Sequence, residues 1–159
     1  NNKTKKIMSD LTTTITEAVT LNGALRGNTN SVTTTGITQV FETIVTCVHS
    51  QETTVASFNT AAYTIAGAIN VPGTDVRYVR VTNLDADGTL TLAVITTASN
   101  YQVTLTPGNS HILCVGTEAV EGEADVTPAF GTLEDLRSIV VKPTGAVYSP
   151  QVGVFVGVI

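Results

Sequence analysis

Val76-Arg77-Tyr78-Val79-Arg80-Val81-Thr82-Asn83-Leu84-Asp85-Ala86-Asp87-Gly88-Thr89-Leu90-Thr91-Leu92-Ala93-Val94 places two alternating runs on either side of an Asp-Gly pair. Val76, Tyr78 and Arg80 alternate with Arg77, Val79 and Val81, and Leu90, Leu92 and Val94 repeat the pattern. A period of two is the repeat of a strand, and Asp-Gly between two such runs predicts a β-hairpin around 85–88. A second turn follows at once. Tyr101, Val103 and Leu105 on one side and Ile112 and Cys114 on the other flank Thr106-Pro107-Gly108-Asn109-Ser110. Pro at the second and Gly at the third turn position is type II chemistry, which predicts another strand pair.

Working outward, residues 11–21 carry Leu11, Ile15, Val19 and Leu21 at even spacing with threonines between them, the pattern of a half-buried first strand. Gly23, Gly27 and three asparagines at 22–30 predict a long surface turn. Residues 37–48 are ambiguous, because Ile37, Val40, Phe41, Ile44, Val45 and Val48 fall at helical spacing. The density of β-branched residues favours a strand, with Ser50-Gln51-Glu52 and residues 53–58 as its hairpin return. Strands recur at 138–142 and 147–159, bracketed by Pro143, Gly145 and Pro150. In the last of these Val152, Val154, Val156 and Val158 share one face and Gly153, Phe155, Gly157 and Ile159 the other. A strand without a charge is poorly protected as a free edge, so it belongs mid-sheet, under a cover or in a subunit contact.

Composition agrees. Thr (29 copies) and Val (22 copies), both β-branched, make about a third of the 159 residues. A chain of this length defaults to one core. The expectation is an all-β, jelly-roll-like β-sandwich of about eight antiparallel strands over residues 11–159, preceded by a flexible N-terminal arm at residues 1–10. Residues 1–6 hold three lysines, two asparagines and no apolar side chain. A net charge of −5, with only 5% aromatic residues, opposes binding to nucleic acid or anionic membrane. The longest uncharged apolar run, at 152–159, is too short to span a bilayer, and polar residues interrupt any secretory core after Lys5 and Lys6. Cys47 and Cys114, in apolar surroundings, read as buried free thiols.

No residue set predicts catalysis. Asn83, Asp85, Asp87 and Gly88 match the first half of a calcium loop, but the closing glutamate position falls on Val94, so a turn tip is the better reading. His49 and His111 stand beside presumed turns as strand-end residues, and Gly-x-Ser-x-Gly, His-Glu-x-x-His, Cys-x-x-Cys and phosphate-cradling loops are all missing. No cofactor or metal is expected. Residues 116–135 hold six acidic residues and no basic one and read as an exposed acidic loop, serving either a basic partner surface or solubility.

The runs Tyr78-Val79-Arg80-Val81-Thr82-Asn83-Leu84-Asp85, Leu90-Thr91-Leu92 and Val103-Thr104-Leu105-Thr106-Pro107-Gly108-Asn109-Ser110 resemble a module of small β-sandwich decoration and cement proteins of tailed-bacteriophage virions. Thr132-Leu133-Glu134-Asp135-Leu136 leading into Ser138-Ile139-Val140-Val141 is similar as well, so the resemblance spans roughly residues 76–141. Its motifs are turn signatures, which speak to fold more than to role. The resemblance implies a non-enzymatic homo-oligomer, a trimer by analogy. It would be made in the host cytoplasm and sit on the outer surface of the capsid, gripping the major capsid protein. The contact candidates are Lys3, Lys5 and Lys6 on the arm and Glu118, Glu121, Glu123 and Asp125 in the acidic loop. A tail, neck or fibre component is the alternative, and a cellular carbohydrate-binding sandwich, with no Trp to offer a sugar, stands behind it.

Overall fold

Val152, Val154, Val156 and Val158 all point into the interior, where they meet Leu90, Leu92 and Val94 from a facing sheet. A computed structural model of the chain describes residues 7–58, 64–114, 117–118, 133–145 and 147–159, with 117–118 as backbone only. In chain order the strands are β1 (Ser9–Thr16), β2 (Val19–Leu21), β3 (Ala24–Arg26), β4 (Thr29–Ile37), β5 (Gln39–Thr46), β6 (Thr53–Ser57), β7 (Ile69–Asn70), β8 (Val76–Asn83), β9 (Leu90–Thr96), β10 (Asn100–Leu105), β11 (Ser110–Leu113), β12 (Thr117–Glu118), β13 (Glu134–Pro143) and β14 (Gln151–Val158). One 3₁₀ turn, Gly73–Asp75, leads into β8.

Two sheets form the body. One has the order β11-β8-β14-β5, and the other β10-β9-β13-β6-β7 with β12 against β13. Among the described residues only the short β6–β7 pairing is parallel. Counting the eight long body strands from β5 onward and leaving out β7 and β12, the orders read 6-3-8-1 and 5-4-7-2. That is the arrangement of a jelly roll, and the expected fold class holds. Within the segment at 37–48, residues 39–46 form strand β5 and no helix. The uncharged β14 lies mid-sheet, between β5 and β8 over its whole length.

The strands were legible, but several of their pairings were not. Residues 85–88 do not make a hairpin: β8 and β9 lie in opposite sheets, and 84–89 turn a corner between them. Neither Asp87 nor Gly88 takes the positive φ of a two-residue hairpin turn. Instead the Asp85 carboxylate accepts the Asp87 and Gly88 backbone N–H groups, each at 2.8 Å. The type II turn at 106–109 is present, with Gly108 at φ +77° and the Asn109 N–H donating to the Thr106 carbonyl at 3.0 Å, yet it joins β10 to β11 across the two sheets. The return at 50–52 likewise carries the chain from β5 to β6 in the other sheet. Among the described residues the one hairpin joining adjacent long body strands is β9–β10, through Thr97 and Ala98.

Asn83 ties two of these corners together. Fully buried at the end of β8, its Nδ2 donates to the carbonyls of Gly88 (2.8 Å) and Leu105 (3.0 Å), and its Oδ1 accepts the Asp85 N–H (3.1 Å). Its backbone pairs with the second corner, donating to the Asn109 carbonyl and accepting from Gly108. A buried amide satisfied at both ends fixes where the chain changes sheets.

Candidate interaction surface

The first four strands stand apart from the body. β1 pairs with β4 and β2 with β3, making one long hairpin whose tip is Asn22-Gly23, both at positive φ. The long turn expected at 22–30 is therefore a two-residue turn followed by strand. Regular alternation is interrupted where Glu17 N–H donates to the Asn28 carbonyl at 2.8 Å. Gly27 sits at that crossing with φ +125°, and a Cβ there would lie 1.9 Å from the Glu17 carbonyl oxygen, so only glycine fits. β1 begins at Ser9, inside the stretch read as an arm.

The register sorts the hairpin into two faces. Thr12, Thr14 and Thr16 oppose Thr33, Ser31 and Thr29, with hydroxyl pairs at 2.9 Å (Thr14–Ser31) and 3.2 Å (Thr16–Thr29). On the other face Leu11, Thr13 and Ile15 oppose Thr34, Val32 and Asn30. The root packs on the body: Leu11 Cδ2 and Ile37 Cδ1 lie 3.7 and 3.6 Å from where a Cβ on Gly157 would stand. Beyond it, Ile15, Val19, Leu21, Leu25 and Val32 are between 51% and 75% exposed. This is an apolar load that nothing in the chain covers among the described residues.

The hairpin root crosses the outer face of the four-stranded sheet. On that face the Tyr78 and Phe155 rings meet edge to face at 5.8 Å, and the Arg80 guanidinium lies 5.5 Å from the Phe155 centroid. Thr12, Thr13 and Thr14 stand with Tyr78, Arg80, Ile112 and Phe155 around one hollow. A second hollow adjoins it on the same face, bordered by Glu42, Ile44, Arg80, Thr82 and the Leu84 side chain that covers Gly153. Arg80 borders both, and its Nε is buried without a hydrogen-bond partner among the described residues. Ile44 is 62% exposed at the rim.

Of the contact residues read from the sequence, Lys3, Lys5, Lys6, Glu121, Glu123 and Asp125 lie outside the described residues. Glu118 is in β12, its backbone paired with Glu134. Of the stretch read as an acidic loop, 117–118 and 134–135 are strand and 119–132 lie outside the described residues, while Glu134 is engaged within the fold. Its carboxylate accepts the Thr96 hydroxyl and the N–H groups of Ala98 (3.0 Å) and Ser99 (3.1 Å), closing the β9–β10 turn. The Thr96 hydroxyl, and after it the Ala98 N–H, hold this carboxyl below the usual carboxylate range. The Asp87 and Gly88 N–H groups do the same for Asp85.

Both thiols are free, as expected, but only Cys47 is buried, and burial pushes it up to about 11; Cys114 is exposed. His111 Nε2 and the Tyr101 hydroxyl share a hydrogen bond of 3.0 Å, and the His49 N–H reaches Ser149 Oγ at 3.4 Å. Among the described residues no group of three or more His, Cys, Asp or Glu could hold a metal ion, and Asp85 is occupied as a turn acceptor. No helix is long and apolar enough to cross a membrane. The chain matches no known family model, no curated protein and no solved structure. The arm is what sequence reasoning missed, although Asn22-Gly23 between Val19-Thr20-Leu21 and Ala24-Leu25-Arg26 carried a hairpin signal.

Proposed function

We propose that this chain is a non-enzymatic virion structural protein, a cement or decoration protein that binds the assembled head of a tailed bacteriophage through its major capsid protein. The observation that carries the reading is the projecting hairpin. A two-stranded ribbon that holds five large apolar side chains in water is a feature of an assembly part, since such exposure has a function when another surface covers it. The jelly-roll body, a fold that recurs in capsid domains, and the resemblance over 76–141 add the viral context. The mechanism is mass action: a protein that binds the closed lattice and not the loose subunit stabilises the lattice, by about 2.7 kcal/mol at a hundredfold excess over Kd.

The test is co-sedimentation of the purified chain with bare heads and with free major capsid subunits at low salt. Saturable binding to heads, no binding to free subunits and a raised melting temperature of the decorated shell are expected. No retention on heads at micromolar concentration overturns the reading. Retention on tails or necks alone replaces it with the tail, neck or fibre alternative.

A further inference from the structure

We propose that the free part of the hairpin arm docks onto a second copy of this chain, in the hollow beside Leu84 and Ile44 on the outer face of its four-stranded sheet. The inference rests on the assembly reading above and names the arm's partner. The chain itself shows what this sheet face accepts. Gly157 of β14 leaves a gap, and Leu11 from the arm root packs over it. Gly153, four residues back along the same face and so roughly 13 Å away, is covered in the same way by Leu84, whose Cδ1 lies 3.2 Å from where a Cβ would stand. Beside this Leu84 a hollow stays open, bordered by Ile44, Glu42 and Arg80, and no residue of the chain's own arm lines it. The hollow is left for an arm arriving from elsewhere.

Chemistry and size both suit a copy of the same arm. Between Thr14 and Ser31 the only charges are Glu17 and Arg26, and the rim of the hollow carries Arg80 and Glu42. Each side offers one charge of each sign, so two opposite-sign pairs can form with no like charges forced together. From residue 14 to the tip the ribbon is roughly 30 Å long and about 10 Å wide, hence on the order of 300 Å² per face. One arm laid on one sheet face buries on the order of 600 Å² in total, too little for a stable pair. Two such contacts reach about 1,200 Å², the lower bound of specific interfaces. The arm is therefore exchanged reciprocally in a dimer, or passed head to tail around a closed ring in which every copy gives one arm and receives one.

The experiment measures self-association of the full chain by sedimentation equilibrium from about 1 to 200 µM. It compares wild type with Leu21→Asp/Leu25→Asp at the tip, Ile44→Asp on the receiving face, Arg26→Glu, and Arg26→Glu with Glu42→Arg. Circular dichroism melts accompany each. The substituted side chains are solvent-exposed, so the body stays folded. A wild-type oligomer, association weakened at least tenfold by the tip and Ile44 variants and by Arg26→Glu, and recovery in the charge-exchanged double variant support the proposal. A wild type that is monomeric throughout, or an oligomer indifferent to the tip variants, overturns it. If the tip variants keep the wild-type oligomeric state and lose binding to heads, the arm's partner is the shell. This inference then fails while the proposed function stands.

Discussion

Replacing Asn83 by alanine removes the side chain that ties the sheet-crossing corner at 84–89 to the end of β10. Three backbone groups lose their partner: the carbonyls of Gly88 and Leu105 and the Asp85 N–H. Asn83 is fully buried, so water does not replace the amide without opening the corner. Each buried group left unsatisfied costs about 1–3 kcal/mol, and partial relaxation of the corner brings the sum to roughly 3–5 kcal/mol. At about 2–4 °C per kcal/mol for a domain of this size, the melting temperature falls by roughly 6–20 °C. The assay is thermal unfolding at pH 7 by circular dichroism, with Asn109→Ala as the control. Asn109 bonds Thr106 through an exposed side chain in the same turn, and its loss costs within about 0.5 kcal/mol. Asn83→Asp sharpens the test. A carboxylate would face two carbonyl oxygens, so its folded pKa rises, and this variant, unlike wild type, gains relative stability as pH falls. A cost below about 1 kcal/mol for Asn83→Ala, or an equal cost for Asn109→Ala, refutes the corner argument.

Gly108→Ala places a Cβ in open space but at φ +77°, so its cost is conformational, about 1 kcal/mol or a fall of a few degrees in melting temperature; no change would mean the turn tolerates another backbone form. In native protein a thiol reagent at pH 8 modifies Cys114 quickly and Cys47 only on unfolding, since burial holds the Cys47 thiol protonated; two fast thiols would contradict its position in the core. Glu134 has a lowered folded pKa, so its contribution is present above the ordinary carboxylate range and is lost as pH falls through the lowered value. Glu134→Gln is accordingly less stable than wild type at pH 7, and the two melting curves converge on acidification. Parallel curves at every pH would show that the carboxylate adds nothing through its charge.

The strands of the body could be read because side-chain alternation is local: Leu90, Leu92 and Val94 declare an inward face whichever sheet they join. What could not be read was the sheet. Asp-Gly at 87–88 and Pro-Gly at 107–108 report that the chain reverses, and a reversal within a sheet and a corner between sheets share the same turn residues. The difference lies in Asn83, whose amide is saturated only when both corners fold onto it, a condition set by residues up to 22 positions away. The arm was obscured for a related reason. Ile15, Val19 and Leu21 alternate like a half-buried strand, but burial depends on what a strand packs against, and among the described residues nothing covers them. The contact residues chosen from charge lay at the N-terminus and in the acidic stretch. The exposed surface that the structure describes is instead charge-poor, so charge in the sequence does not mark it.

The position of β14 has a kinetic consequence. It fills the slot between β5 and β8, two strands that have no other partner connecting them. Until residue 158 has left the ribosome, the four-stranded sheet is a lone strand beside a two-stranded fragment, with a one-strand gap lined by unpaired backbone. Folding of this sheet therefore waits on the last of its strands and closes loops of more than a hundred residues when β14 meets β5. A nascent or truncated chain holds that gap open, and the strand that fits it is any copy of β14, its own or a neighbour's.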